Sequence, residues 1–142
     1  MFTKSGVNKA RLYDSLRTMG RKHLKTKEMR DAWSEDNPTY CYCYVVSEMA
    51  YWYVAPKGTI PMAMKVPGDP GTHRFLKYSD GFIVDLTAEQ FPNYEDVIYE
   101  NGKRSMFMQT GCVGPSKRAK TLAVLMGYEE DDWITRGIAK SN

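Results

Sequence analysis

The chain has 142 residues, 26% of them charged, and a net charge of +3, which suits one domain with a sizeable core and leaves little room for a second. No stretch reaches the roughly 18 uncharged apolar residues of a membrane span, and the N-terminus lacks the apolar core of a signal peptide. We therefore expect a cytoplasmic protein without membrane contact, whose three cysteines are reduced thiols rather than a disulfide scaffold.

The first predicted element is a basic helical region over residues 1–33. Apolar residues recur there at helical spacing, and Gly20 divides the region into two helical segments. Between residues 4 and 30, Lys and Arg far outnumber Asp and Glu. Such a face can attract nucleic acid, but it carries no recognition motif and lacks the aromatic interleaving of single-strand binders. We interpret it as a solvated helix face and do not expect a nucleic-acid partner.

The next element begins at NPTYCYCYVVSEMAYWYV, residues 37–54. Asn37-Pro38-Thr39 is predicted to break the chain and to offer caps for a following helix. From residue 42 to residue 53 apolar side chains cover every face, which predicts a helix buried at the centre of the fold. Because Tyr and Val also favour strands, a strand remains an alternative. The run contains one charge, Glu48.

The sequence pattern predicts three strands in the middle of the chain. Residues 59–66 predict a strand at a sheet edge, because Pro61 cannot donate a ladder hydrogen bond. Residues 73–78 and 82–86 predict a hairpin, since Ser79-Asp80-Gly81 between them is a strong turn signal.

The rest of the chain predicts one short strand, around residues 106–109, before a last helix. That helix covers residues 115–128, with Pro115 at its first position. Helices followed by strands and a helix are typical of an α+β fold. We predict a single domain over residues 1–142, with a small three-stranded antiparallel sheet, the 42–53 helix packed centrally on it, and flanking helices.

Residues 37–91 carry the candidate chemistry. A cysteine nucleophile needs a base for its proton and a third group that orients the base. Two cysteines lie at the start of the central helix. His73 begins a predicted strand, whereas His23 lies in the basic helix and is assigned no role. Asp85 lies in the apolar run FIVDL, where a buried carboxylate is costly unless it is paired.

The length of the hairpin loop decides whether His73 and Asp85 can meet. With a two-residue turn, Leu76 would pair with Asp85, and His73 would point to the opposite face. With a three-residue loop ending in Gly81, Phe75 would pair with Asp85, and His73 would be its diagonal neighbour roughly 7 Å away on the same face. A triad therefore requires the longer loop.

The pattern W-x3-NP-x4-C, followed by GTH and by DGFIVDLTAEQF, covers residues 33–91. It resembles the YunG-like family of small bacterial and phage proteins, whose pattern runs NP-x-x-GQC, then a short histidine-containing strand, then DG-x-x-IDLT-x-x-QF. The order Cys, His, Asp is also similar to that of transglutaminase-like proteins with the papain fold. The resemblance aligns Cys43 with the family cysteine and implies a catalytic triad of Cys43, His73 and Asp85. This sequence has Cys41-Tyr42 where the family pattern has Gly-Gln.

Simpler interpretations of the cysteines remain open. A free cysteine is often a small buried hydrophobe. A zinc site from Cys41, Cys43, His73 and Cys112 has enough ligands, but Cys-x-Cys on a helix splays its side chains and the usual C-x2-C pair is missing. We interpret Cys41 as a neighbour of the nucleophile and Cys112 as a loop thiol, and expect neither a metal nor another cofactor.

Two functions from different classes follow. The first is amide hydrolysis or acyl transfer through a thioester, with Cys43 as nucleophile, His73 as base and then acid, and Asp85 orienting the ring. Its partner is a protein or peptide substrate that the sequence does not identify. The alternative is a non-catalytic accessory factor, such as a phage-encoded one, that binds another protein through its basic helix or its aromatic surface.

Overall fold

The computed structural model describes residues 6–69, 71–108 and 113–135. The helices and strands follow in the order α1 (Lys9–Met19), α2 (Lys27–Ala32), α3 (Cys43–Tyr53), β1 (Ile60–Met64), β2 (His73–Lys77), β3 (Ile83–Val84), β4 (Lys103–Arg104) and α4 (Lys117–Leu125). Short 3-10 turns lie between β3 and β4. The chain is α+β, as predicted, and its sheet is antiparallel.

Both helical segments of the N-terminal region are confirmed. Asn8 caps α1 by accepting from the Arg11 N–H at 3.0 Å, and Thr26 caps α2 by accepting from the Met29 N–H at 3.1 Å. Gly20 follows α1 with a φ of 61°, in the left-handed region that favours glycine. The chain therefore changes direction at the residue that the sequence predicted.

The central helix α3 is confirmed, and the strand alternative for this segment is wrong. It packs against both β2 and α4, and nine of its eleven residues are buried. Glu48, the one charged residue of α3, is hydrogen-bonded by Ser116, the N-cap of α4. Glu48 accepts from the Ser116 N–H at 2.6 Å and from its Oγ at 2.8 Å. Burial raises the pKa of Glu48, and the bonds from Ser116 oppose that shift.

Two predicted helix starts are wrong. The N-cap of α3 is Tyr42, which makes no side-chain capping bond, so Asn37-Pro38-Thr39 does not cap this helix. Pro115 precedes the N-cap of α4 instead of occupying its first turn. The reason lies in Ser116, whose hydroxyl accepts from the Ala119 N–H and so fixes the first helical residue at Lys117, two residues later than predicted.

The sheet has four strands in the order β3-β2-β1-β4, one more than predicted. Because β4 pairs with the outer side of β1, the predicted edge position of β1 is wrong. Pro61 is tolerated there since β4 pairs only with Met62 and Ala63, and the Pro61 carbonyl accepts from the Ser105 N–H at 3.0 Å. The strand predicted around residues 106–109 is also misplaced: residues 106–108 lie outside any strand, and residue 109 lies outside the described residues.

The two faces of the sheet contact different apolar clusters. The larger cluster joins α1, α3 and α4 to the face that carries Leu76 and Val84. The smaller one includes Phe75, on the opposite face, and is completed by the segment after β3. Within the described ranges, no helix is both long and apolar enough to cross a membrane.

Candidate active site

The hairpin between β2 and β3 has the register that the triad requires. Leu76 pairs with Val84, so Asp85 comes to the same face of the sheet as His73. The loop has three residues and ends in Gly81, whose φ of 90° is the left-handed conformation expected there. The longer of the two loops weighed from the sequence is the one present.

Asp85 is buried and uses both carboxylate oxygens. Oδ2 accepts from His73 Nε2 at 2.6 Å and from the Tyr99 hydroxyl at 2.7 Å. Oδ1 accepts from the N–H of Thr87 at 3.2 Å and from its hydroxyl at 3.5 Å. One oxygen orients the histidine, and the other holds the turn after β3.

His73 is completely buried. Its ring stacks on Phe75, with centroids 6.1 Å apart, and meets the Phe91 ring edge-to-face at 4.8 Å. Burial lowers the pKa of His73, but the hydrogen bond with Asp85 and the interactions with Cys43 and with the Asp85 charge outweigh it and raise that pKa from 6.5 to about 9. At neutral pH the folded chain therefore favours the protonated imidazole.

Cys43 is the first residue of α3, and its side chain lies beside the start of β2. Its Sγ donates to the carbonyl of Thr72, the residue before His73, at 3.5 Å. Because Asp85 occupies Nε2 of His73, Nδ1 is the ring nitrogen available to the thiol. Nδ1 is buried and has no hydrogen-bond partner in the described part of the chain, while interaction with Cys43 contributes to the raised pKa of His73. The three side chains of the predicted triad are neighbours.

Cys41 and Tyr42, directly before Cys43, occupy the positions where the YunG-like pattern has Gly-Gln. Cys41 has a φ of 67°, a conformation that glycine adopts without strain and other residues seldom do. Burial, with the nearby Cys43 and Asp69, raises the pKa of Cys41 to about 11, so this thiol stays protonated at neutral pH. Tyr42 is fully buried, and its hydroxyl donates to the Gly20 carbonyl at 2.5 Å. Its side chain belongs to the core and not to the site.

Gln90, which the sequence analysis did not single out, connects the segments of the site. Its Nε2 donates to the carbonyl and hydroxyl oxygens of Thr87 at 3.1 and 3.0 Å. Its Oε1 accepts from the Cys41 N–H at 3.4 Å, and its carbonyl accepts from Asn37 Nδ2 at 3.2 Å. Asn37 and Gln90, the polar residues of the NP and QF parts of the motif, thus hold the loop before Cys43 against the turn after Asp85. Their position in the motif was the sequence signal that could have identified them.

Tyr99 is the second functional residue that the sequence analysis missed. It lies 14 residues beyond Asp85, in a segment predicted to be irregular. The signal available was indirect, because a buried carboxylate needs more hydrogen-bond donors than one histidine supplies.

Replacement of Cys41 tests the backbone strain beside the nucleophile. We expect Cys41→Gly to be more stable than Cys41→Ala by about 1 kcal/mol, because only glycine adopts the positive φ freely. Both variants remove the same thiol, so their difference isolates the backbone. Urea denaturation measures both free energies of unfolding, and an Ala variant as stable as the Gly variant would show that this conformation is unstrained.

The described residues contain no group of three or more His, Cys, Asp or Glu side chains that could hold a metal ion. Cys112, the fourth residue weighed as a zinc ligand and also interpreted as a loop thiol, lies outside those residues. Cys41 and Cys43 are free thiols.

Comparisons of the chain with protein-family models, with curated proteins and with solved structures found no match. A function for this chain is consequently inferred from the residues and distances of its own site.

Proposed function

We propose that the chain is a cysteine-dependent amide hydrolase or acyl transferase of the YunG-like type, on a papain- or transglutaminase-like scaffold. The observation that carries this proposal is the buried ring of His73. Its Nε2 is bound to the Asp85 carboxylate, and its Nδ1 is left for the thiol of Cys43. Nucleophile, base and orienting carboxylate thus follow one another as in a cysteine–histidine–acid triad.

Proton transfer from the thiol is the first step. The His73 pKa of about 9 favours a proton on the ring, so the proton of the Cys43 thiol passes to Nδ1 and the two side chains form a thiolate–imidazolium pair. Asp85 stabilises the resulting imidazolium by keeping its hydrogen bond to Nε2. Cys43 is thereby left as a thiolate that can attack a carbonyl carbon.

Acyl transfer then proceeds through a thioester. Attack forms a C–S bond and moves the carbonyl π electrons onto oxygen. As the tetrahedral intermediate collapses, the C–N bond breaks and Nδ1 of His73 returns its proton to the departing amine. Water, or an acceptor amine, gives a proton to the same nitrogen, attacks the thioester and releases the Cys43 thiol.

The oxyanion is the one charge in this scheme without a side-chain donor, because Tyr42 binds Gly20 in the core. Cys43 begins α3, and the first amides of a helix have no carbonyl partner within that helix. Backbone N–H groups at a helix N-terminus favour negative charge. We assign oxyanion stabilisation to these amides.

Exposed apolar side chains support the alternative function, a protein-binding accessory factor. Met106, Met108 and Val113 are 37%, 66% and 78% exposed. Apolar side chains that are contiguous on a surface are typical of protein contacts. The two functions share a scaffold and differ in whether Cys43 reacts.

The basic N-terminal region gives no support to nucleic-acid binding. Its four arginines each donate to a backbone carbonyl of the same chain: Arg11, Arg17, Arg21 and Arg30. Guanidinium groups used in this way stabilise the fold and are less available to phosphates.

Selective alkylation separates the catalytic function from the binding function. At pH 6 we expect iodoacetamide to modify Cys43 at least about tenfold faster than Cys41 or Cys112, because the imidazole of His73 stabilises the Cys43 thiolate. Mass spectrometry of the digested protein measures the three rates in one sample.

Urea-unfolded protein is the control, since its three thiols should react alike. Equal or slower modification of Cys43 in the folded protein would contradict the catalytic proposal and favour the accessory factor.

A further inference from the structure

Tyr99 touches the candidate triad from outside the sequence motif. Its hydroxyl donates to Asp85 Oδ2 at 2.7 Å, and the same oxygen accepts from His73 Nε2 at 2.6 Å. Two donors therefore share one carboxylate oxygen. Each hydrogen bond withdraws negative charge from Oδ2 and so makes this oxygen a weaker acceptor for the other donor. The two bonds are therefore coupled.

The fold holds the Tyr99 ring in place. It packs edge-to-face on Phe75, with centroids 5.0 Å apart. The turn that carries it closes through a hydrogen bond from the Gly102 N–H to the Tyr99 carbonyl at 2.9 Å. A side chain at position 102 would not fit, because its Cβ would lie 2.6 Å from the Phe75 ring.

Tyr99 is fixed in the donor role. Burial and the adjacent Asp85 carboxylate raise the pKa of Tyr99 well above its ordinary value, so the phenol keeps its proton. Its oxygen lies 3.4 Å from the hydroxyl of Tyr94, which is 48% exposed. Since the one Tyr99 proton goes to Asp85, the outer hydroxyl of Tyr94 is the donor of that second bond.

We propose that Tyr99 is a positioning residue of the candidate active site, which lowers the basicity of Asp85 towards His73 and so sets the proton affinity of the base. This role deepens the proposed cysteine chemistry and takes its catalytic meaning from it. A carboxylate bound to His73 alone would hold the imidazolium too tightly to return its proton to a leaving amine. The Tyr99 hydroxyl keeps the proton affinity of His73 low enough for the ring both to accept a proton and to return it.

The test replaces Tyr99 by Phe, which removes the hydroxyl and keeps the ring on Phe75. The titratable groups that face His73 are Asp85, Cys43 and, through Asp85, Tyr99. We expect Tyr99→Phe to raise the pKa of His73 by about half a pH unit or more, because Asp85 loses a competing donor.

An NMR titration of the imidazole signals measures this shift. The chain has only two histidines, so the signal of His23 serves as an internal reference. The titration is run on full-length protein carrying Cys43→Ser, which removes the coupled ionisation of the thiol. Tyr94→Phe is the matched control, because it removes a neighbouring tyrosine hydroxyl that does not touch Asp85, and it should shift the His73 signal by much less than Tyr99→Phe does.

A His73 pKa that is unchanged or lower in Tyr99→Phe would overturn the inference, as would an equal rise in Tyr94→Phe. A merely structural role for Tyr99 would change the thermal midpoint without moving that pKa. Alkylation of wild-type Cys43 reports separately on the proposed function: an unreactive Cys43 with a shifted pKa refutes the nucleophile and leaves the role of Tyr99 intact. A reactive Cys43 with an unshifted pKa does the reverse.

Discussion

Asp85→Asn should reduce the rate of Cys43 alkylation at pH 6 by at least about 100-fold, if His73 activates the thiol. The substitution preserves the shape of the side chain. Its amide oxygen can still accept from the Thr87 N–H, as Asp85 Oδ1 does at 3.2 Å. The NH2 group then occupies the position of Oδ2 and presents a donor to His73.

The amide reverses the hydrogen bond that now fixes the histidine. To accept from the new NH2 group, His73 Nε2 must lose its proton, so the neutral ring carries its hydrogen on Nδ1. That nitrogen then faces the Cys43 thiol as a donor and cannot take its proton. Iodoacetamide rates for wild-type and Asp85→Asn protein, with circular dichroism to confirm folding, measure the effect.

Stability separates this role from a purely structural one. At about pH 9.5, where the wild-type imidazolium is largely lost, Asp85→Asn should be destabilised less than Asp85→Ala, because its amide keeps the bonds to Thr87 and His73 and only the Tyr99 hydroxyl loses its acceptor. Asp85→Ala should lose about 1–3 kcal/mol, because it leaves the donors of His73, Tyr99 and Thr87 unpaired in the interior. Unchanged Cys43 reactivity in folded Asp85→Asn protein would mean that Asp85 only holds the turn after β3.

The parts of the fold that the sequence predicted depend on local signals. Apolar residues on every face of residues 42–53 indicated a buried helix. Ser79-Asp80-Gly81 indicated the hairpin but allowed a loop of two or three residues, and the three-residue loop gives the register that brings His73 and Asp85 to one face. A hairpin turn can be predicted from its own residues, without knowledge of the rest of the chain.

The parts that were missed depend on contacts between distant residues. β1 became an inner strand because Lys103 and Arg104 add to its outer side, and no pattern in residues 59–66 signals that arrival. Tyr99 reaches Asp85 from a 3-10 turn with no apolar periodicity. Short irregular segments carry little local information, so their contacts follow from packing in three dimensions.

Stability should fall as pH rises above 6.5, because folding raises the pKa of His73. That pKa is about 9 in the folded chain against an ordinary value of 6.5, so the native state binds the proton more tightly. The contribution is complete below pH 6.5, where both states are protonated, and it is lost as pH rises through 9. A shift of this size corresponds to about 3 kcal/mol, and about 2 kcal/mol of it should be lost between pH 6 and 8.5.

The pH range keeps other contributions small. Burial and the charges of Lys22 and Arg118 lower the pKa of His23, so His23 opposes the loss slightly near pH 6 and does so equally in the control. The pKa of Cys41 is raised to about 11, so its thiol stays largely protonated in the native state and adds little below pH 8.5. Cys43→Ser removes the thiol and, with it, the part of the raised His73 pKa that Cys43 contributes, so the loss of stability in this variant should have the same sign and be smaller than about 2 kcal/mol. Urea denaturation of this variant at half-unit pH intervals gives the free energy of unfolding.

The same series in Cys43→Ser/Asp85→Asn protein is the matched control, and it should be nearly flat because the amide does not stabilise the imidazolium. A free energy of unfolding that is constant or rises between pH 6 and 8.5 in Cys43→Ser would mean that burial outweighs Asp85. His73 would then be neutral in the native state, with a pKa below 6.5. Asp85 would then fail to make His73 a base strong enough to share a proton with the thiol, which would contradict the role that the proposed chemistry gives to Asp85.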